Sequence, residues 1–399
     1  MLFKVLIYNV FFNVFVLFIN TSISNALFEK FHITPSIISI FRLFINLIFI
    51  LLIMYYILTK RVKLKVYKVI IVLILLIGGS ILLTSQKFEA IKAYINFTGM
   101  ICYFIVLFNT ISKERAILYL KNYCNLMLIL ELLAIFIFKD IGYMNGSDTI
   151  RGIHLSRSTL TIYLNLCIFV YIYYLYFFIK INNRVNKLIV TMLFISIFLV
   201  LLSKSSTGIL IISLFIPIFL WIKTNKRANI LFAISITFST LIPLINFNSN
   251  VLNNLIGEVF NKNLSFSGRR YIWDYAISHF SKKPLFGNGF NSIDSLFKGK
   301  VIPIYERVAA HSHNGFLDVF LQNGIIGLML VLIIIFLFFK RVDMYSEFEK
   351  RLLKTYILVF IIFNSMEPYL LHTVSVENFW LIGIFIIIYN EKGKEKINE

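Results

Sequence analysis

Long apolar stretches alternate with short polar segments along the whole chain. A membrane-spanning helix needs about 20 consecutive, mainly apolar residues to cross a hydrocarbon core of about 30 Å. The pattern predicts spans at residues 3–19, 36–58, 67–84, 94–112, 117–138, 160–179, 188–203, 207–222, 229–246, 315–339, 355–370 and 376–390. We therefore expect an all-α, polytopic membrane protein with about twelve transmembrane helices.

Positively charged residues mark one side of this predicted bundle. Lys and Arg concentrate in the segments after the even-numbered spans, at residues 60–68, 113–121, 180–187, 223–227, 340–354 and 392–396. Because positively charged loops stay on the cytoplasmic side, this alternation places both termini in the cytoplasm and the odd-numbered loops outside. The first span could also be a signal peptide, since the small-residue stretch SISNA follows it, but Asn9, Asn13 and its length favour an uncleaved helix.

The composition narrows the possible functions. Of the 399 residues, 59% are hydrophobic, and the formal net charge is +20. In a soluble protein this charge would suggest a nucleic-acid partner, but here it lies at helix ends, so we expect no nucleic-acid partner. The three cysteines have no C-x-x-C spacing, which argues against a disulfide framework or a zinc site. We treat residues 1–399 as one membrane-embedded domain.

One outward loop is much longer than the others. It runs over residues 247–314, between the ninth and tenth spans. Apolar residues recur at helical spacing in VLNNLIGEVFNKNL and in SGRRYIWDYAISHF, which predicts two short amphipathic helices, and KKPLFGNGF predicts a tight turn after the second. Within the tenth span, Gly324 and Gly327 are expected to permit close helix packing. Loops of this length usually carry function, so the chemistry is expected here.

Two histidines lie at the end of this loop, where the tenth span begins. In AAHSHNGFLDVF, the residues His311, His313 and Asn314 precede the apolar run. A helix N-terminus favours anions, and an imidazole can exchange a proton near neutral pH. The residues alone fit two interpretations: a proton-transfer site, or a helix cap beside an interfacial histidine.

Charged residues on the outward side provide further candidates. Arg269 and Arg270 lie in the long loop, and Arg151 precedes the sixth span in TIRGIHLSRSTL. Guanidinium groups suit phosphate or pyrophosphate because they donate two parallel hydrogen bonds, although contact with anionic lipid headgroups is an alternative. Glu367, near the outer end of the eleventh span, would either pair with a loop arginine or cap a turn.

The sequence offers little for a metal ion or a nucleotide. Neither the H-E-x-x-H spacing nor a related one occurs, and the chain has no Gly-rich phosphate-binding loop. We therefore expect no metal and no other cofactor.

Two segments together resemble the O-antigen ligase and O-antigen polymerase superfamily of bacterial envelope glycosyltransferases. SGRRYIWDYAISHFSKKPLFGNG is similar to the family's G-R, W and P-L-x-G-x-G pattern, and HSHNGFLDVFLQNGIIGL is similar to its H-N-x-x-L followed by G-x-x-G. The similarity is strongest over residues 265–330, and the long loop and RGIHLSRSTL also match. The resemblance implies a GT-C-like helical fold in the bacterial cytoplasmic (inner) membrane.

The resemblance also implies a reaction. A glycan on undecaprenyl pyrophosphate is the donor, and a hydroxyl of an acceptor glycan attacks its anomeric carbon outside the membrane. Arg269 would bind the pyrophosphate, Arg151 would assist, and His313 would orient or deprotonate the acceptor without a metal. Lys204, in LLSKSSTGIL, is shifted relative to the basic residue that the family often carries in a serine-rich turn, so its role is less defined.

Polymerases and ligases of this superfamily differ in the acceptor that they use, and no residue in the sequence identifies the acceptor. Our first interpretation is a polymerase, which adds lipid-linked glycan to a lipid-linked repeat unit and has a chain-length regulator as an expected partner. The alternative is a ligase that transfers the glycan to a terminal acceptor such as lipid A core. A flippase or transporter would show inverted repeats and ionisable groups at mid-membrane, and a non-catalytic assembly protein is a further hypothesis. Membrane lipid is a partner in every case.

Overall fold

The computed structural model describes residues 35–59, 62, 64–144, 147–244, 269–280, 282–297, 311–371 and 379–395. Within these ranges the regular elements are helices, apart from one isolated antiparallel bridge between Tyr143 and Ile150. The predicted all-α class is therefore confirmed. The first predicted span and the first amphipathic helix of the long loop lie outside the described residues.

The α-helices of the described part are numbered here in chain order. They are α1 (Pro35–Leu58), α2 (Lys68–Ser80), α3 (Lys87–Thr110), α4 (Lys113–Phe136), α5 (Lys139–Gly142), α6 (Arg157–Asn182), α7 (Lys187–Leu202), α8 (Ser206–Trp221), α9 (Asn225–Leu241), α10 (Arg269–Phe280), α11 (Ile293–Phe297), α12 (Gly315–Arg341), α13 (Glu347–Asn364) and α14 (Phe379–Glu395). Short 3-10 turns occur at Leu64–Tyr67, Ile81–Leu83, Ile242–Leu244 and Val342–Met344.

Seven of the described helices are long and apolar enough to cross a membrane. They are α1, α2, α3, α4, α6, α9 and α12, some of them extended by a 3-10 turn, and α7 and α8 are shorter apolar helices of 16 residues each. The chain is therefore a membrane protein with several transmembrane helices. Eleven of the twelve predicted spans coincide with a described helix, whereas the total of twelve remains a prediction.

Two of the observed helices begin about two turns earlier than the apolar pattern indicated. α3 begins at Lys87 rather than at residue 94, and α13 begins at Glu347 rather than at residue 355. Hydropathy detects only the part of a helix inside the hydrocarbon, whereas the backbone hydrogen bonds continue through charged first turns. At its other end α13 stops at Asn364, whose side-chain oxygen accepts a hydrogen bond from the Tyr369 N–H at 3.1 Å and so stabilises the turn of residues 365–371.

Two hydrophobic clusters hold the helices together. The larger cluster runs through the bundle, and its fully buried aromatic residues include Phe97, Phe104, Tyr119, Tyr123, Tyr163 and Tyr171. The smaller cluster attaches α10 to α11 and α12, and its buried members are Ile242, Ile272, Trp273, Ala276, Ile293, Phe297, Leu317 and Leu321. The amphipathic character predicted for α10 is confirmed, because Trp273 and Ala276 are buried in this cluster.

α12 is broken at Gly324, which has φ +63° and ψ −167°. On the N-terminal side of the break, the carbonyl groups of Leu321 and Gln322 accept hydrogen bonds from the N–H groups of Asn288 and Gly289, both at 2.8 Å. The turn predicted from KKPLFGNGF is therefore present, and it lies against the broken helix. This contact fixes the part of the long loop that follows α10.

Candidate functional site

Asn314 caps α12 and connects it to neighbouring helices. Its side-chain oxygen accepts a hydrogen bond from the Leu317 N–H at 3.0 Å, and its amide nitrogen donates to the carbonyl groups of Ser239 (3.0 Å) and Ser365 (3.2 Å). The residue is fully buried. These bonds give Asn314 a structural role at the helix N-terminus and support the cap interpretation for this residue.

Ser312 anchors the turn that carries the two histidines. The Trp273 indole N–H donates to the Ser312 carbonyl group at 2.9 Å, and the Ser312 N–H donates to the Asp318 carboxylate at 3.1 Å. Trp273 and Ser312 are both fully buried. Contacts from α10 and α12 therefore fix the backbone that positions His311 and His313.

His313 faces a buried carboxylate. Its ring lies 4.2 Å from the His311 ring, measured between centroids, and its backbone is left-handed with φ +54°. The Nδ1 atom of His313 is buried and lies 3.9 Å from Glu367 Oε2. The side chain is nevertheless 33% exposed, so part of the imidazole ring reaches the surface of the site.

Glu367 connects distant parts of the chain. Its Oε1 atom accepts hydrogen bonds from Arg269 Nη2 at 3.3 Å and from the Ser158 hydroxyl at 3.1 Å. The Glu367 side chain is only 7% exposed, and these partners offset the cost of burying its charge. Four parts of the chain thus meet at one carboxylate: the first turn of α6, the first turn of α10, the turn before α12 and the turn after α13.

Arg269 is a fixed cation at the edge of this cluster. Its Nη2 pairs with Glu367, and its Nη1 lies 3.4 Å from the Met366 sulfur, a weak acceptor. Burial lowers the pKa of the Arg269 guanidinium below its usual value, and the Glu367 carboxylate opposes this decrease. A guanidinium still keeps its charge at neutral pH, so Arg269 can bind an anion.

A cavity of about 170 Å³ adjoins the histidine pair, and His311 lines it. Its polar lining also comprises Asn291, Asp294, Asp318 and Gln322. Pockets that enclose a whole small ligand measure about 300–1,000 Å³, so this cavity suits one part of a larger substrate. In the described part of the chain, no three His, Cys, Asp or Glu side chains lie close enough together to hold a metal ion.

The other predicted arginines have different partners. The Arg270 guanidinium pairs with Asp274 at 2.8 Å, one turn further along α10. The Arg151 Nε donates to the Ile141 carbonyl group at 2.9 Å, in the segment before α6. The structure therefore brings Arg269, His311, His313 and Glu367 together, and it gives Arg270 and Arg151 contacts of their own.

Lys204 lies in the turn between α7 and α8, where it is exposed and has φ +52°. The hydroxyl group of the adjacent Ser205 lies 3.4 Å from the Thr161 hydroxyl group. Thr161 in turn donates to the carbonyl group of Ser158, whose hydroxyl contacts Glu367. This chain of contacts places the turn of Lys204 beside the candidate site.

Sequence reasoning missed two residues that build the site. Ser158 lies in TIRGIHLSRSTL, a segment that attracted attention because of its arginines. Nothing in the sequence distinguished the Ser158 hydroxyl as a functional group. Its place in the first turn of a predicted outward helix end is the feature that could have indicated it. Ser312 lies between the histidines, but nothing in the sequence relates it to Trp273, because the two residues belong to separate segments.

These features define a class: a helical membrane protein with a polar site where several helix ends meet. Residues 191–332, from α7 into α12, match the O-antigen ligase family. The chain is also 31% identical over 124 residues to a Rickettsia bellii (strain RML369-C) protein named "Putative polysaccharide ligase"; the match covers 28% of this chain and 29% of that relative's length. Both comparisons support the resemblance to the O-antigen ligase and O-antigen polymerase superfamily that the sequence indicated.

The matched stretch contains part of the site. Lys204, Arg269, His311 and His313 lie within residues 191–332, whereas Glu367 lies beyond them. The carboxylate that connects the cluster therefore comes from a part of the chain that the family match does not cover.

Proposed function

We propose that this protein is a polysaccharide ligase that transfers a lipid-linked glycan to a terminal acceptor. One observation carries the proposal: His313, Glu367 and Arg269 meet at one end of the bundle, and the histidine and the arginine lie in the stretch that matches the O-antigen ligase family. Both comparisons name ligases, so they favour this activity over the polymerase of our first interpretation.

In this proposal His313 is the catalytic base. Its Nε2 atom accepts the proton of the acceptor hydroxyl while that oxygen bonds to the anomeric carbon of the donor. The negative charge of Glu367, whose Oε2 lies 3.9 Å from Nδ1, stabilises the imidazolium that forms. A positioned base of this kind typically accelerates a reaction by about 10²- to 10⁴-fold.

Arg269 binds the leaving group. The bond between the anomeric carbon and the phosphate oxygen breaks, and the electron pair leaves with undecaprenyl pyrophosphate. Fixed cations in a partly dehydrated site stabilise such a developing charge, and among the described residues Arg269 Nη1 contacts the weak acceptor of Met366. Lys204 and Arg151 add positive charge near this end of the bundle, so the scheme needs neither a metal nor another cofactor.

The cavity beside His311 is the proposed place for the acceptor sugar. Its carboxylate and amide groups, on Asp294, Asp318, Asn291 and Gln322, match the hydroxyl groups of a glycan. A volume of about 170 Å³ suits the terminal sugar only, with the rest of the acceptor outside.

The proposal includes a location and an orientation. The protein lies in the bacterial inner membrane with twelve spans of GT-C-like arrangement, and the histidines face outward. Both termini are cytoplasmic, because the clusters of Lys and Arg follow the even-numbered spans. A chain-length regulator would be a partner only if the acceptor were a lipid-linked repeat unit.

The test compares envelope glycans from cells that carry the wild type, His313→Ala, Arg269→Ala or no copy of the protein. Two matched controls remove the same residue types elsewhere: His279→Ala on α10 and Arg184→Ala at the other end of the bundle. Protein levels are matched, and lipid-linked and acceptor-linked glycans are separated and resolved by size.

If the protein is a ligase, both site variants accumulate lipid-linked chains that are not attached to the acceptor. Both control variants attach these chains normally. Accumulation of single lipid-linked repeat units would instead identify a polymerase. An unchanged pattern in both site variants would contradict the catalytic assignment and support a non-catalytic role.

A further inference from the structure

A second cavity lies at the opposite end of the bundle from the histidines. It measures about 220 Å³ and is formed by residues 222–225, between α8 and α9, and by the first two turns of α13. α9 and α13 both begin at this cavity, and near their other ends Ser239 and Ser365 contact Asn314. Helices of this length are about 25 Å long. The cavity is therefore separate from the site of the proposed reaction.

The lining of this cavity is basic. Its charged residues are Lys223, Lys350, Arg351 and Lys354, with Glu347 as the one carboxylate. Lys354 is buried and pairs with Asp343, and Lys350 pairs with Glu347, which is 77% exposed. Four cations against two carboxylates, Glu347 in the lining and Asp343 beside it, leave a net positive charge here, and Lys223 is itself exposed. A net positive potential therefore remains in the cavity.

The backbone and Arg351 add to this preference for an anion. Thr224, the N-cap of α9, and Asn225 line the cavity, so the positive end of the α9 dipole lies against it. The Nη2 atom of Arg351 donates to the Phe219 carbonyl group at 2.7 Å, but its buried Nε has no hydrogen-bond partner among the described residues. Arg351 lines the cavity, so its positive charge lies beside it.

The surroundings of the cavity indicate a lipid rather than a soluble anion. The α8 residues just before it, Ile216, Leu220 and Trp221, are apolar and exposed. The Arg227 guanidinium lies 5.8 Å from the Trp221 ring centroid. Tryptophan beside a cationic residue is typical of the headgroup depth of a membrane. One rim of the cavity can therefore contact acyl chains while its interior contacts phosphate.

We propose that this cavity binds the phosphate headgroup of an anionic phospholipid. Lys223 and Lys350 contact the phosphate oxygens together with the N-terminus of α9, and the acyl chains lie along α8. Basic pockets between transmembrane helices on the cytoplasmic side recognise such headgroups in this way. The bound lipid connects α8 and α9 to α13, which carries the turn of Glu367 at its other end.

The test uses the purified full-length protein and native mass spectrometry during a lipid titration. Phosphatidylglycerol is compared with phosphatidylcholine of the same acyl chains, and excess inorganic phosphate is added in a separate arm. The variant Lys223→Gln/Lys350→Gln removes two cavity charges. Its matched control, Arg184→Gln/Lys187→Gln, removes two exposed charges at the same end of the bundle but outside the cavity.

We expect the wild type to bind phosphatidylglycerol about tenfold more tightly than phosphatidylcholine, and the cavity variant to lose about tenfold of that affinity. The control should retain wild-type affinity within about twofold. Equal binding of phosphatidylglycerol by wild type and cavity variant would overturn the proposal. Displacement of phosphatidylglycerol by inorganic phosphate would overturn it as well, because the cavity would then take a soluble anion.

Discussion

At the scale of single residues, the candidate site depends on Glu367. One of its oxygens accepts hydrogen bonds from Arg269 and Ser158, and the other faces His313. The same carboxylate therefore influences both the cation and the base of the proposed reaction. Replacing it by a neutral group of the same shape separates its charge from its packing.

We expect Glu367→Gln to lower glycan transfer by about a hundredfold or more, because the imidazolium of His313 loses the charge that stabilises it. Ser158→Ala removes one hydrogen bond but keeps the carboxylate, and it should lower transfer by less than about tenfold. Both rates are measured with purified protein, lipid-linked donor and acceptor, alongside thermal unfolding. Wild-type transfer by the Glu367→Gln variant would exclude the carboxylate from the chemistry.

The sequence identified reactive side chains but not the contacts between them. His313 and Arg269 stood out because ionisable groups are rare beside apolar spans. The Arg269–Glu367 contact, however, crosses 98 positions of the chain, and the Ser158–Glu367 contact crosses 209. Which helix ends meet depends on the packing of the whole bundle, and no local pattern specifies it. Asn314, by contrast, could be interpreted as a cap from its position alone.

At the scale of elements, α12 differs most from the expectation. The apolar pattern predicted one helix over residues 315–339, and Gly324 was expected to permit helix packing. Gly324 instead interrupts the helix, and a Cβ at this position would lie 2.1 Å from the Leu285 carbonyl oxygen. Periodicity cannot reveal such a break, because the residues on both sides keep a helical pattern. Unpaired backbone groups are costly inside a membrane, and here the loop turn pairs with them.

We expect Gly324→Ala to destabilise the protein by at least about 2 kcal/mol, because a side chain is strained at this backbone conformation and collides with the loop. Gly79→Ala is the matched control: nothing lies within 4 Å of the Cβ it would add to α2. Alanine is favoured there by about 0.5–1 kcal/mol. Thermal unfolding of both variants in one detergent should therefore show opposite shifts, and equal shifts would contradict the role given to the break.

At the scale of the whole molecule, the charge pattern of the sequence predicted two different ends. The histidine cluster lies at one end and the basic cavity at the other. This separation could be predicted because the alternation of Lys and Arg is spread over many loops. An error in the bounds of one predicted span therefore does not hide the alternation. The orientation of these ends in the membrane is still a prediction.

Cysteine labelling in intact cells measures that orientation. Cys102, Cys124 and Cys167 are buried, so a new exposed cysteine reports on its own position. Asp148→Cys lies in the segment before α6, and Arg184→Cys lies in the segment after it. An impermeant maleimide should label only the first variant in intact cells and both variants after lysis. The reverse pattern would place the histidines in the cytoplasm and exclude a donor outside the membrane.

The left-handed backbone of His313 implies a conflict between selection for stability and selection for activity. A side chain at φ +54° costs about 1–2 kcal/mol, which glycine avoids. We expect His313→Gly to melt at a higher temperature than the wild type and to transfer no glycan, as paired melting and transfer assays would reveal. A lower melting temperature would mean that the lost ring contacts outweigh the strain. Screens for thermostable variants would otherwise recover inactive proteins at this position.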